Sequence, residues 1–438
     1  MRRSQIAATI LEAMISEEEA RSKILDAIKA LPSRKLPILE ALDRFAAEDY
    51  FARLPLPNFD NSAMDGYAVI ANDCRPGAML RVIGEQPAGA DRRLRISSGQ
   101  TVRIFTGAPI PAGADAVVMQ EDVTRSDNEI TLNESVEAGE FVRKRGCDLS
   151  EGQKILNKGQ RIGSATVGLL ASQGLTEVRI GGEVRAAIVS GGDELAKPGE
   201  NLQAGQIYES NSAMLQSLLA KSGATVASAE HCSDTTEALR RAFESAAGCE
   251  ILIVSGGVSV GEHDLVQAAL RSLGAEIDIW RVAIKPGKPF LFGRLKQTLP
   301  SLGASRPSLP KGEKKRDRHK TTVERNSLAK ECLVFGLPGN PVSAFVTFLQ
   351  FVRPAILKMM GATDLDLRRV RANLQVDINN DGDRVVYVRG RFENGDFVPV
   401  GRQESHALFG LSQSNSLLRV GIGKSFSRGT IVDIQLCN

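Results

Sequence analysis

The sequence predicts an α/β protein in which strands and helices alternate through the middle of the chain. Four apolar runs in this region each end in a short Gly- or Pro-rich loop that carries charge: Ala187–Val189, Ile251–Val254, Val282–Ile284 and Leu333–Phe335. Helical patterns separate the runs, and strands that alternate with helices form an open parallel sheet. Such sheets bind ligands beyond the carboxyl ends of their strands, so we expect all four loops to meet at one crevice.

The N-terminal region is predicted to be helical. Ser16 and Glu19 form a Ser-x-x-Glu capping box for a helix over 16–31, which Pro32 ends. A second helix is expected over 36–51, before a proline-rich turn.

Residues 55–149 are rich in short β patterns separated by turns, so we predict an inserted β domain there. Residues 150–182 return to a mixed pattern that includes a helix at 165–172. We therefore predict that 1–54 and 150–182 form one discontinuous domain.

The α/β domain is predicted to span 183–362, with crossover helices at 212–221, 235–246 and 264–273 and a long apolar helix at 342–360. Residues 296–330 interrupt it with a basic segment that lacks periodicity, which predicts a flexible insertion. A C-terminal β domain is predicted over 363–438, where Asn394-Gly395 gives a strong hairpin signal.

Composition favours an ordinary soluble protein. The chain has 438 residues, 42% hydrophobic and 24% charged, and no stretch of about 18 apolar residues indicates a membrane span. The N-terminus lacks the pattern of a secretory signal peptide. Six scattered cysteines form no Cys-x-x-Cys pair, which favours reduced thiols in the cytoplasm over disulfides or zinc.

The net charge of +3 has a local source. Residues 311–325 carry seven Lys or Arg side chains against three acidic ones and no aromatic residue. A solvated loop is the simpler interpretation and a polyanion-binding patch the alternative, so no nucleic-acid partner is predicted.

The loops after the predicted strands carry groups suited to a phosphorylated ligand and a hard cation. The run Ser255–Asp264 contains adjacent glycines whose backbone N–H groups can approach an anion, although Asp264 could also simply cap a helix. Asp193 and Glu194 can reach Mg²⁺ or lie in a solvated turn. Lys285 and Lys288 present point charges suited to phosphate or an oxyanion, although most surface lysines bind nothing specific.

Other ligand and enzyme classes find little support. No Walker motif or Rossmann Gly-x-Gly-x-x-Gly sequence is present, so ordinary NTPase and dehydrogenase functions are weakly supported.

Six ordered motifs together resemble the MoeA family of molybdopterin molybdenumtransferases. They are Asp60–Val69, Arg103–Pro109, Gly192–Leu195, Ser255–Asp264, Lys285–Pro289 and Gly336–Ser343. The resemblance runs from about residue 16 to the end. It implies an elongated homodimer of four subdomains: a central adenylyltransferase-like α/β domain with a parallel-rich sheet, an inserted β domain, a discontinuous N-terminal mixed domain and a small C-terminal β-barrel domain.

The resemblance also implies the reaction. Molybdate is inserted into the dithiolene of adenylylated molybdopterin, with release of AMP in a Mg²⁺-dependent step. The implied partners are a second copy of the chain, with the site between subunits, and molybdopterin adenylyltransferase and molybdoenzymes as transient partners. The alternatives are the preceding adenylyl transfer and a gephyrin-like interaction scaffold.

Site residues follow by position in the matched motifs. Catalytic roles are implied for Asp65, Thr106, Asp148, Glu194, Asp234, Asp264 and Lys285. The predicted substrate-binding residues are Ser255, Gly256, Gly257, Ser259, Lys288, Pro338, Pro341 and Ser405, and the predicted Mg²⁺ ligands are Asp193, Glu194 and Asp264. Asp65 and Thr106 are expected to serve the crevice of the partner subunit.

Overall fold

The computed structural model describes residues 14–257, 265–297 and 330–437. The elements form four groups: N-terminal elements, a β region, an α/β region and a C-terminal barrel region. The N-terminal group is discontinuous, and its two parts are joined by strand pairing. The predicted basic insertion lies almost entirely outside the described residues.

The N-terminal elements lie on both sides of residues 55–149. Strand 34–37 pairs antiparallel with 177–180, and strand 50–51 pairs with 154–156. The elements are the helices Glu17–Asp26 and Ser164–Ser172, the 3₁₀ turn Ile38–Ala41, and the strands Arg34–Pro37, Tyr50–Phe51, Lys154–Leu156 and Glu177–Ile180.

The helix predicted over 36–51 is wrong. Its first residues form the strand Arg34–Pro37, and a short 3₁₀ turn follows at Ile38–Ala41. The backbone of 34–37 finds its hydrogen-bond partners in a strand about 140 residues further along the chain.

The intervening segment is all β apart from 3₁₀ turns at Ala71–Asp73 and Gln120–Asp122. Its six-stranded sheet has the order Ala116–Met119, Gly66–Val69, Gln100–Ile104, Met79–Gln86, Glu129–Leu132, Val123–Ser126, and a two-stranded ribbon joins Asn61–Ser62 to Val142–Arg143. Tyr67, Val69, Leu80, Ile130 and Leu132 pack in its core.

The central sheet has six strands in the order Thr225–Cys232, Arg185–Gly191, Ile251–Ser255, Lys330–Leu337, Pro289–Gln297, Glu276–Arg281. The first four are parallel, and the last two pairings are antiparallel. A further short parallel pair joins Leu195–Ala196 to Ile207–Tyr208. The sheet is therefore parallel-rich, as predicted.

Helices cover both faces of this sheet, and its central strands 185–191 and 251–255 are buried at successive positions. Ile188 packs in one core with Leu215 and Phe351, whereas its neighbour Val189 packs in a second core with Phe243. The helices are Asn211–Lys221, Thr236–Ser245, Leu265–Ser272, Pro341–Thr347 and Arg353–Met359, the last two joined by a π-helical turn at Phe348–Val352.

The run Pro341–Met359 is long and apolar enough to cross a membrane by length and composition alone. However, 83% of its most apolar window is buried inside the protein. Phe351 lies 4.6 Å from Phe290 of the central sheet, measured between ring centroids. This helix is a core element of the α/β region.

The C-terminal region contains a closed five-stranded barrel. Strand 385–393 pairs with both 396–399 and 416–420, and the ring closes through 431–436 and 369–374. The elements are the strands Arg369–Leu374, Ile378–Asn379, Val385–Glu393, Asp396–Pro399, Ser416–Val420, Ser425–Phe426 and Ile431–Leu436 and the helix Leu408–Ser412. Ile284–Lys285 adds a short strand beside Val385 and Val386.

Candidate functional site

Three of the four predicted loops converge at the carboxyl ends of parallel strands. A Cβ atom on Gly256 would lie 2.6 Å from the backbone oxygen of Gly191, and one on Gly339 would lie 3.6 Å from the Cα of Gly256. Gly256 and Gly257 have φ angles of +84° and +66°, which favour glycine. The missing side chains therefore let the loops touch.

The converging loops border a cavity of about 610 Å³. Several predicted site residues line it: Glu194, Asp234, Ser255, Gly256, Gly257, Pro338 and Pro341. The barrel region contributes His406 and Leu408 from a distant part of the sequence. Asn211 also lines the cavity, although the sequence patterns gave no reason to single it out.

Carboxylates crowd one side of this cavity. The backbone N–H of Asp234 donates to Asp193 Oδ1 at 3.2 Å, which brings the loops after two neighbouring strands together. Burial raises the pKa of the Asp234 carboxyl, and the nearby charges of Asp193 and Glu194 raise it further. Such mutual repulsion is relieved when a cation binds.

The residues present fit a Mg²⁺ ion that is shared with a phosphorylated substrate. Mg²⁺ is usually held by one or two carboxylates together with substrate phosphates, and Asp193 and Glu194 supply two carboxylates. Within the described ranges, no group of three or more His, Cys, Asp or Glu side chains could hold a metal ion by itself. The third predicted ligand, Asp264, lies outside the described residues, as does Ser259.

The predicted basic loop occupies a different position from the one expected. Val282–Ile284 is not a strand of the central sheet, because Ile284 and Lys285 pair with the barrel strand at Val385 and Val386. Lys285 lines a separate cavity of about 220 Å³ together with residues of the 379–386 segment. Lys288 does not line the large cavity either, and only Pro289 of this loop does so.

Asp65 and Thr106 form a hydrogen-bonded pair in the β region. Asp65 Oδ1 accepts from both the backbone N–H and the Oγ1 hydroxyl of Thr106, each at 2.7 Å. These two bonds lower the pKa of the Asp65 carboxyl, the backbone bond most. Both residues are exposed, as is Asp148, whose backbone N–H donates to the Leu56 oxygen at 3.0 Å. None of the three lines the large cavity of its own chain.

The loop 400–408 reaches from the barrel to the α/β region. Ser405 Oγ accepts from Asn340 Nδ2 at 3.0 Å, and the Ser405 backbone oxygen accepts from the Val342 N–H at 3.1 Å. These two bonds hold His406, the next residue, beside the cavity.

The buried Arg389 side chain, on the barrel strand 385–393, holds this loop. It is only 1% exposed, and its guanidinium donates to the backbone oxygens of Ala407 at 3.1 Å, of Glu404 at 3.3 Å and of Arg402. Sequence patterns missed Arg389 because an arginine inside a strand usually faces solvent.

Comparison with known proteins identifies related sequences along nearly the whole chain. Three family models match: the MoeA N-terminal region (domain I and II) at residues 15–174, a probable molybdopterin binding domain at 187–358, and the MoeA C-terminal region (domain IV) at 371–437. The first model covers the N-terminal elements and the β region between them, the second the α/β region and the third the barrel region.

Named relatives agree with these models. A molybdopterin molybdenumtransferase of Haemophilus influenzae is 38% identical over 351 residues, which cover 80% of this chain and 78% of the relative. One of Nostoc sp. is 33% identical over 395 residues, 87% of this chain and 84% of the relative. The crystal structure of the molybdopterin biosynthesis protein MoeA from Pyrococcus horikoshii superposes with a TM-score of 0.77 at 28% identity, covering 97% of this chain and 100% of that one.

Proposed function

The chain belongs to the MoeA family of molybdopterin molybdenumtransferases, and we propose that it inserts molybdate into the dithiolene of adenylylated molybdopterin with release of AMP. The observation that carries this proposal is the cavity at the strand ends, where Gly-rich loops meet carboxylates suited to a cation. The adenylyl-transfer and scaffold alternatives are not favoured, since the named relatives are molybdenumtransferases.

We further propose that the reaction depends on Mg²⁺. Asp193 and Glu194, with Asp264, would hold the ion against the phosphates of the substrate, where it would neutralise their negative charge. Asp234 lies beside Asp193 and Glu194, so the ion would stabilise the ionised form of its carboxyl group.

We propose that the working unit is a homodimer in which each cavity is completed by the partner. Asp65 and Thr106 form an exposed, preorganised pair that does not line the cavity of its own chain. Placed over the cavity of the partner, the pair would offer a carboxylate and a hydroxyl to the substrate. Molybdopterin adenylyltransferase and molybdoenzymes would meet the enzyme transiently, and the free cysteines suit a cytoplasmic location.

The direct test is AMP release from adenylylated molybdopterin by the purified protein. We expect AMP only when the protein, Mg²⁺ and molybdate are all present. ATP consumption with free molybdopterin would instead indicate adenylyl transfer, and absence of AMP in the complete mixture would refute the proposed reaction.

A further inference from the structure

One buried polar atom beside the large cavity has no hydrogen-bond partner. Asn211 is only 8% exposed and lines the cavity, and its Oδ1 atom is unpaired in the described structure. An unsatisfied buried acceptor is unfavourable, because it has left water without gaining a hydrogen bond in the protein. Native proteins keep few such atoms, and one beside a ligand cavity points to a donor that arrives with a ligand.

The orientation of this side chain is fixed by its other end. Asn211 Nδ2 donates to the backbone oxygen of Gly339 at 2.7 Å and to Ser255 Oγ at 3.0 Å. A carbonyl oxygen can only accept, so the NH₂ group must face Gly339 and the carboxamide cannot be reversed. Oδ1 is therefore held as an acceptor by contacts to two of the converging loops.

Position along the chain adds to this rigidity. Asn211 is the first residue of the helix 211–221, and Glu209 Oε1 accepts the N–H of Ser212 at 2.8 Å in the same turn. The neighbouring Ser210 and Glu209 also line the cavity. The acceptor thus belongs to a structured helix start and not to a mobile loop.

The charged groups around the cavity indicate what kind of ligand group it suits. Glu194, Glu209 and Asp234 line it, and no Lys or Arg does so among the residues that the structure describes. The lysines of the basic loop lie outside its lining, at 285 and 288. A phosphate without a cation would be repelled from this wall, whereas N–H and O–H donors would be accepted.

We infer that Asn211 is a specificity-determining residue whose Oδ1 accepts a hydrogen bond from an uncharged N–H or O–H donor of the substrate. The inference rests on the proposed function, which supplies a substrate with such donors in both its nucleoside and its pterin parts. Because Oδ1 is itself buried, the donor reaches it with a local adjustment of the cavity wall. The phosphates then face the cation held by the carboxylates, apart from the acceptor that binds the donor.

Binding measurements on the wild-type protein distinguish the two sources of the donor. Affinities are measured by calorimetry for AMP, for purine riboside 5′-monophosphate, which lacks the amino group, for 2′-deoxy-AMP and for molybdopterin. A nucleoside donor predicts that one of the two altered nucleotides binds about tenfold more weakly than AMP. A pterin donor predicts equal nucleotide affinities.

Substitution of Asn211 completes the test. With a nucleoside donor, Asn211→Ala lowers AMP affinity about tenfold and abolishes discrimination between AMP and the altered nucleotide. With a pterin donor, it lowers molybdopterin affinity by a similar factor and leaves AMP unaffected. Asn211→Ser serves if the alanine variant does not fold, as judged by thermal melting. Gln216→Ala, one turn along the same helix and outside the cavity lining, should leave every affinity unchanged.

The inference is overturned if the wild type binds the nucleotides equally and a folded Asn211 variant binds both AMP and molybdopterin within twofold of the wild type. Failure of the proposed function has a different signature, because the wild type would then release no AMP from adenylylated molybdopterin.

Discussion

Gly256 and Gly191 approach so closely that a Cβ atom on the first would lie 2.6 Å from the backbone oxygen of the second. Gly191 is the last residue of the strand 185–191, and Gly256 directly follows the neighbouring parallel strand 251–255. This contact brings the loop that carries the carboxylates against the loop that carries Ser255 and Gly257. The shape of the cavity therefore depends on the absence of a side chain at Gly256.

Gly256→Ala is expected to destabilise the protein and to lower activity. The positive φ alone costs about 1–2 kcal/mol, and the clash with Gly191 adds to it by pushing the loops apart. Gly274→Ala is the matched control, since Gly274 has a φ of +79° and nothing within 4 Å of the added atom. Denaturant unfolding and AMP release should separate the two variants. Equal losses in both would mean that the close approach is unimportant.

Residues from two subunits are expected to complement each other. Asp65→Asn and Glu194→Gln homodimers should both be inactive. Exchange of their subunits should restore about a quarter of wild-type activity, because half of the dimers would then be mixed and each mixed dimer would carry one intact site of two. Asp65→Asn mixed with Thr106→Val is the control and should restore nothing, since both changes fall on the same side of the proposed interface. Absence of recovery after verified subunit exchange would place the whole site within one chain.

Mg²⁺ binding is expected to release protons through Asp234. The pKa of this carboxyl is raised, so its contribution to folding stability is fully present below its ordinary pKa of about 3.9 and is lost as pH rises through the raised value. A bound cation favours the ionised form, so Mg²⁺ affinity should increase with pH across the same range.

Calorimetry of Mg²⁺ binding in buffers of different ionisation enthalpy measures this proton release. Asp234→Asn should abolish it, because amide nitrogen does not titrate there. Glu237→Gln is the control: Glu237 lies outside the cavity lining, and its hydrogen bond from Arg240 lowers its pKa. Proton release that persists in Asp234→Asn would assign the titrating group elsewhere.

Arg389→Lys is expected to loosen the loop 400–408. One ammonium group cannot reproduce the guanidinium fork that serves Arg402, Glu404 and Ala407, and each abandoned buried carbonyl costs about 1–3 kcal/mol. We expect a several-fold increase in KM and faster amide hydrogen exchange in this loop. Arg391→Lys, two residues along the same strand and paired on the surface with Glu393 at 3.1 Å, should change neither. An unchanged loop in Arg389→Lys would contradict the proposed positioning role.

Local patterns predicted the elements whose structure depends on neighbouring residues. The region 55–149, predicted to be β, contains short strands such as 116–119 and 129–132. Asn394 and Gly395 have φ angles of +53° and +87°, as a tight hairpin turn requires, and they join the antiparallel strands 385–393 and 396–399. The crossover helices at 211–221 and 236–245 lie within one residue of prediction.

Long-range pairing explains the elements that were wrong. Residues 36 and 37 were predicted to start a helix but belong to the strand 34–37, because 177–180 supplies its partners. Similarly, 282–284 looks like another core strand, but the adjoining Lys285 pairs with the barrel at Val386. A single-sequence pattern contains no information about a partner more than 100 residues away.

The candidate site likewise has parts that sequence motifs predicted and parts that only the folded structure reveals. Motifs identified the loops at 191–194, 255–257 and 338–341, which line the cavity. Asn211 and Arg389 could not be singled out, because the role of each depends on burial and on hydrogen-bond partners that only the folded chain brings together. His406 belongs to none of the six motifs, yet it lines the cavity.

The contribution of His406 and Leu408 to the cavity also constrains the order of events during synthesis. The strands that form the floor of the site precede them by more than 60 residues, and the barrel that holds their loop closes only with the strand 431–436. Because domains fold as units and N-terminal ones first, a nascent chain forms the α/β core before it can close the substrate site. Completion of the cavity therefore depends on the strand 431–436, which closes the barrel that holds this loop.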